Sequence, residues 1–203
     1  MCGIIGYIGN NKAVPILMEA LKRLEYRGYD SAGFCTINED NILIEKDIGK
    51  IQEVENKVNL NGLNGQVGLS HCRWATTGSV TKENAHPHTD CKNMISIVHN
   101  GIIENFSELK EKLIEKGHKF KSSTDTEVIA HLIEDNYNGD IEGATREALK
   151  QIDGSYALGV ICAREPQKLI AARNESPLIV GLGKDENFIA SDVPAILKYT
   201  NKV

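Results

Sequence analysis

Short apolar runs separated by polar turns dominate the chain, with helical periods confined to a few segments. Residues 4–8 (Ile-Ile-Gly-Tyr-Ile) predict a buried strand close to the first residue. Val14, Leu17, Met18, Leu21 and Leu24 recur at three-and-four spacing and predict a helix over 13–24. Residues 32–37 and 42–46 read as two strands, and Asn38-Glu39-Asp40-Asn41 between them as a hairpin turn. Further strands are predicted over 67–72 and 95–99. Residues 73–92 between them are polar and follow neither period, which predicts a long functional loop. Three helices follow. Asn105 with Glu108 has the spacing of a cap and opens a helix to about 116, ending at Gly117. Thr124 with Glu127 repeats that signal before Val128, Ile129, Leu132 and Ile133, and a third helix covers 141–151. The chain then returns to strands over 156–162, 169–172, 178–182 and 188–191. Strands, a helical middle and strands again predict a layered α+β domain and argue against a doubly wound parallel sheet.

Composition narrows the class. The 203 residues are 41% hydrophobic, with 18 Gly, four Phe and one Trp, which suits one compact domain with an aliphatic core. The net charge of -5 and the scattered Lys and Arg residues point away from nucleic acid. No apolar stretch reaches the roughly 20 residues of a membrane span, so no membrane partner is expected. The start Met1-Cys2-Gly3-Ile4 lacks the basic and apolar segments of a signal peptide, and the expected location is cytoplasmic. Five cysteines read as reduced thiols.

Cysteine in second position permits removal of Met1, which leaves a thiol and a free α-amine on one residue. A thiol pKa near ~8.5 and an α-amine pKa near ~7.7–8.0 let the amine accept the thiol proton at neutral pH. Taken alone, the dipeptide favours the plain reading of Cys2 as a small buried residue behind a retained Met1.

Its context favours the nucleophile. Cys2-Gly3-Ile4-Ile5-Gly6-Tyr7 resembles the opening of the class II glutamine amidotransferases, whose glutaminase domains are N-terminal nucleophile hydrolases. Leu24-Glu25-Tyr26-Arg27-Gly28-Tyr29-Asp30-Ser31-Ala32-Gly33, His71-Cys72-Arg73-Trp74-Ala75-Thr76, Asn84-Ala85-His86-Pro87-His88, Val98-His99-Asn100-Gly101, Thr124-Asp125-Thr126-Glu127 and Ser176-Pro177-Leu178 extend the resemblance from end to end. They are similar to the branch whose parent chain carries sugar-phosphate isomerase domains. The resemblance implies a four-layer α/β/β/α sandwich, two antiparallel sheets between helical layers. It also implies hydrolysis of glutamine to glutamate and ammonia through a γ-glutamyl thioester on Cys2, with the ammonia passed to fructose 6-phosphate.

Residue roles follow from the same resemblance. Asn100, through its side-chain amide, and Gly101, through its backbone N–H, would donate to the oxyanion; Asn-Gly otherwise reads as a hairpin turn. Arg27 and Gly28 would hold the loop around Cys2; a surface ion pair is the plain reading of Arg27. Arg73 would grip the α-carboxylate of the substrate and Asp125 its α-ammonium, while Trp74, Thr76 and Thr77 line the same loop. Asp125 equally suits a first helical turn.

At Thr77 the family usually has histidine, and a hydroxyl keeps a donor but loses the charge. Residues 1–203 read as a single glutaminase domain, expected to be truncated at its C-terminal end. The isomerase domains would lie on the same parent chain or on a partner chain, in a full-length homodimer. Two rival readings are a glutaminase of another class II amidotransferase, such as amidophosphoribosyltransferase, and a non-catalytic glutamine-binding module. A third, a metal protein using His71, Cys72, His86, His88, Cys91 and His99, fits no zinc spacing. No metal and no cofactor are expected.

Overall fold

The computed structural model describes residues 2–203. The N-terminal half supplies β1 (Gly3–Ile8), α1 (Ala13–Lys22), β2 (Ser31–Asn38), β3 (Asn41–Ile48), α2 (Ile51–Lys57) and β4 (Val67–Arg73). The rest supplies β5 (His88–Thr89), β6 (Ile95–Ile103), α3 (Phe106–Glu115), α4 (Thr126–Asn136), α5 (Ile141–Leu149), β7 (Gly154–Cys162), β8 (Leu169–Asn174), β9 (Ile179–Leu182) and β10 (Asn187–Ala190).

Two antiparallel sheets result, β3-β2-β4-β1-β10-β9 and β5-β6-β7-β8. Side-chain alternation sorts the apolar residues into three cores. On the first sheet Ile5, Tyr7, Ala32, Phe34 and Cys72 face α1 and α2, packing on Leu17, Leu21, Ile51 and Val54. The intervening positions, Ile4, Cys35, Ile37, Val67 and Leu69, face the second sheet and meet Val98, Ala157 and Ile161. On the other face of that sheet Ile95, Ile97, Leu158 and Val160 pack on α3, α4 and α5. The central strands are therefore covered on both faces, which is why β1 and the second half of β7 read as apolar runs rather than as an alternation, and why β4 is buried throughout although it carries Ser70, His71 and Arg73. The expected four-layer sandwich is the observed one.

Local departures from the sequence-based expectations have physical causes. The hairpin over β2 and β3 turns through Glu39, at φ 53°, and Asp40, as expected. α1 ends at Lys22, and a 3-10 turn at Glu25–Arg27 follows and directs Arg27 inward. β6 runs four residues past His99, to Ile103, because β7 pairs with it along its whole length. Asn100-Gly101 is therefore not a turn but lies within a paired strand. The Thr124–Glu127 capping box does not form. Glu127 reaches back to the amides of Lys121 and Ser122 at 2.8 and 2.6 Å, while Asp125 occupies the cap position. α2 went unpredicted because it buries only Ile51 and Val54, a single i,i+3 pair and too little to register as a period.

Candidate active site

Strand register carries Cys2 to its place. Gly3 pairs with Cys72 across β1 and β4, so the next position back, Cys2, falls opposite Arg73 where β4 leaves the sheet. The backbone N–H of Trp74 donates to Cys2 Sγ at 3.1 Å, and the sulfur lies 3.4 Å from the Trp74 carbonyl. The Cys2 carbonyl is clamped from two sides, by Arg27 Nε at 3.0 Å and by Asn100 Nδ2 at 2.9 Å. Burial raises the Cys2 thiol pKa, against the lowering effect of the Trp74 amide and of the Arg73 and Arg27 charges. Burial thus favours the thiol over the thiolate at Cys2.

Arg27 is buried, not the surface ion pair of the plain reading. Its guanidinium also meets Asp192 at 3.2 Å, a carboxylate that accepts from Tyr26 at 2.5 Å. Gly28 is forced by close approach. A Cβ there would stand 2.7 Å from the Arg73 carbonyl carbon and 2.8 Å from the Trp74 nitrogen, the same amide that faces Cys2.

The long loop after β4 is ordered by side chains that bind backbone. Asp30 accepts from the Ala75 amide at 2.9 Å. Arg73 donates to the carbonyls of Thr77 and, at 3.3 Å, Ser79, which folds the loop back on itself. Asn84 ties it to Ser123, and Lys46 donates to the Ala85 and Pro87 carbonyls at 2.5 and 2.9 Å. The loop is irregular from Trp74 to Pro87, and the short strand β5 at His88–Thr89 interrupts the loop expected over 73–92.

These segments enclose a cavity of about 300 Å³. Of the sequence-predicted residues, Cys2, Arg27, Arg73, Trp74, Thr76, Thr77, Asn100, Gly101 and Asp125 all line it, while Gly28 packs behind it. Asp125 is buried, and its Oδ2 accepts the Ile103 amide at 2.9 Å. Burial disfavours the Arg73 cation, and the charges of Asp125 and Asp30 support it. Gly101 has φ 137°, and a Cβ there would meet the Ser155 carbonyl oxygen at 2.0 Å, so only glycine fits. Trp74 contributes mainly through its backbone, its indole being 44% exposed and edge-on to Tyr29.

Sequence reasoning missed what lies behind Asn100. His71 Nε2 sits 3.0 Å from Asn100 Oδ1 and 3.2 Å from the His99 carbonyl. Burial lowers its pKa to about 3, so it is neutral; with the proton on Nε2 it donates to Oδ1 and turns the amide nitrogen toward Cys2. His71 stacks on His86, with ring centroids 4.1 Å apart, and His86 meets His88 edge to face at 4.7 Å. The six-residue metal set raised by the sequence does not converge. Cys72 points to the opposite face of its sheet and Cys91 lies beside His118 and His131. The signal available in the sequence was period two: His71 shares the Leu69 face of β4 and points into the space between the sheets, whereas His99 shares the Ile95 and Ile97 face of β6 and meets Thr126 of α4 at 2.9 Å.

Comparison with known proteins shows the family. A family profile described as "Glutamine amidotransferase domain" matches residues 71–198. The glutamine–fructose-6-phosphate aminotransferase [isomerizing] of Pyrococcus horikoshii is 57% identical over all of this chain, which spans 34% of that protein. Its Clostridium perfringens counterpart is 53% identical over the whole chain, again spanning 33% of the relative. The glutamine phosphoribosylpyrophosphate amidotransferase from B. subtilis superposes with a TM-score of 0.85 at 28% identity, covering 98% of this chain and 44% of that one. A glutamine aminotransferase class-II domain protein from Silicibacter pomeroyi shares the fold at a TM-score of 0.64 and 17% identity. With that match over more than half its residues, the chain belongs to the glutamine amidotransferase family.

Proposed function

We propose that this chain is a glutaminase domain in which Cys2, after removal of Met1, hydrolyses the side-chain amide of glutamine. The observation that carries this reading is the convergence on one cavity of a clamped cysteine, an Asn-Gly donor pair and two opposite charges, Arg73 and Asp125. A free amino acid needs one partner for each of its end charges, and these two residues supply them.

Removal of Met1 frees the Cys2 amine, which accepts the thiol proton. The cavity histidines His86 and His99 are poor substitutes, since burial lowers both pKa values. The thiolate attacks the amide carbon, and the oxyanion forms against Asn100 Nδ2 and the Gly101 N–H. The amine returns the proton to the leaving nitrogen, ammonia departs and a γ-glutamyl thioester remains. Water then cleaves the thioester to glutamate and the thiol. Gly28 and Arg27 hold the Cys2 segment in place, and Trp74, Thr76 and Thr77 close the substrate side.

The chain spans about a third of the curated relatives it matches, and the reading extends to the parent. Sugar-phosphate isomerase domains would take the ammonia to fructose 6-phosphate in a cytoplasmic homodimer. Assay of the full-length protein with fructose 6-phosphate against phosphoribosyl pyrophosphate separates this acceptor from its rival.

The direct test combines intact mass with labelling by an electrophilic glutamine analogue. The expected result is a chain lacking Met1 that takes up one label at Cys2. A processed, folded chain whose Cys2 stays unlabelled would defeat the mechanism.

A further inference from the structure

A second cluster of reactive side chains lies outside the glutamine cavity. Cys91, on the turn between β5 and β6, meets His118, just past the end of α3, and His131 and Glu134, one turn apart on α4. The ligand atoms of the four all lie within 4.8 Å of one another. Cys91 Sγ is 3.8 Å from His118 Nδ1 and 3.7 Å from His131 Nδ1, and Glu134 Oε2 is 3.0 and 3.2 Å from the same two nitrogens. A tetrahedral zinc ion with Zn–S near 2.3 Å and Zn–N or Zn–O near 2.05 Å places its ligands about 3.6 Å apart for S···N and about 3.3 Å apart for N···O. The observed separations lie within a few tenths of an ångström of both figures.

The surroundings carry the same signature. Each histidine turns Nδ1 to the cluster and Nε2 to a carboxylate: His118 Nε2 to Asp135 Oδ1 and His131 Nε2 to Glu127 Oε1, both at 3.7 Å. A carboxylate behind a ligating imidazole fixes its tautomer and raises its basicity. Cys91 Sγ also accepts the Lys119 amide at 3.4 Å, a bond suited to a thiolate. His131 Nε2 is buried without a hydrogen-bond partner. A small inward movement of its ring or of Glu127 on metal binding would satisfy it.

We propose that Cys91, His118, His131 and Glu134 form a divalent transition-metal site that takes zinc in a tetrahedral S, N, N, O set. The donor types favour zinc over magnesium or calcium, which require oxygen ligands. All four positions are protein ligands, so the site is structural rather than catalytic. It pins the turn after β5 and the segment after α3 to α4, the helix whose N-terminal cap, Asp125, lines the glutamine cavity. The cap lies nearly two turns away along α4, so the metal site does not depend on the glutaminase reading.

The test is titration of the metal-free chain with cobalt(II) and with zinc. One equivalent of cobalt is expected, with thiolate-to-cobalt charge transfer and tetrahedral visible bands, displaced by one equivalent of zinc. Cys91→Ser should abolish the charge-transfer band and weaken zinc binding at least 100-fold, with glutaminase activity retained. Asp135→Asn should keep the spectrum and lower affinity 10–100-fold. Cys2→Ser should bind metal like the parent, which separates this site from the nucleophile. Absence of a stoichiometric tetrahedral cobalt complex in the folded parent would overturn the proposal, as would a spectrum carried unchanged by Cys91→Ser. Should Cys91→Ser fail to fold, the Asp135→Asn affinity and the parent spectrum decide alone.

Discussion

The Asn100 side chain holds Cys2 by its carbonyl at 2.9 Å, while its own amide oxygen faces His71 Nε2 at 3.0 Å. The amide nitrogen carries two hydrogens. One goes to Cys2, and the second remains for an oxyanion. Asn100→Ala is expected to lower kcat roughly 10²–10³-fold with a smaller change in KM. His71→Phe keeps the ring stack on His86 but removes the donor, and should lower kcat roughly tenfold, the worth of one hydrogen bond. Steady-state kinetics check both. Wild-type kcat in His71→Phe would remove His71 from the positioning of Asn100.

Gly28 is predicted to act on the nucleophile without touching it. A methyl at this position meets the backbone of Arg73 and Trp74 below 3 Å, where no flexible side-chain end can yield. Gly28→Ala should cost about 1–3 kcal/mol in stability and slow Cys2 alkylation by shifting the Trp74 amide that donates to the sulfur. Urea unfolding and the alkylation rate measure the two effects. Parent-like values for both would show that the segment relaxes freely.

The two charged partners divide the substrate between them. In Asp125→Asn the side-chain oxygen still accepts from Ile103, so the fold is kept and only the charge is lost. KM for glutamine should rise roughly 10–100-fold, the worth of a charged hydrogen bond. Thr77→His restores a second cation beside Arg73 and is expected to leave binding intact or tighten it. Unchanged affinity there would make the threonine a neutral departure, and an unchanged KM in Asp125→Asn would separate Asp125 from the α-ammonium.

Stability should fall in mild acid. Burial lowers the pKa of His71 to about 3, and those of His86, His88 and His99 fall in the same direction. Between the folded value and the unfolded value of about 6.5 the unfolded chain binds more protons, so stability declines as pH drops through this window. For His71 alone the loss at pH 5 is about 2 kcal/mol. Urea midpoints at pH 7 and pH 5 test the sign, and His71→Phe should reduce the difference. A midpoint that rises toward pH 5 would contradict buried neutral imidazoles.

The site was legible where a residue acts through its own chemical type. Cys2, Arg73, Asp125 and the Asn100-Gly101 pair stand in segments that resemble the family, and the resemblance assigns each a role that its own chemical type can fill. The sequence offers His71 only as a candidate metal ligand. Its work depends on which strand faces it, and strand pairing is a long-range property. The metal candidates illustrate the same limit. Cys91 meets His118, His131 and Glu134, which come from 27 to 43 residues further on, and no local spacing joins them.

Periodicity and turn chemistry, which act over a few residues, determined most elements, the aliphatic cores and the hairpin at Glu39-Asp40. Only the tertiary structure decided that β6 continues through Asn100 and Gly101, since pairing with β7 outweighs the local preference of Asn-Gly for a turn. It alone turned Arg27 inward to the Cys2 carbonyl and brought Asp192, 165 residues away, to neutralise it. Contacts between distant segments depend on how sheets stack and register, and a linear pattern of polar and apolar residues records the burial of each position but not its partner.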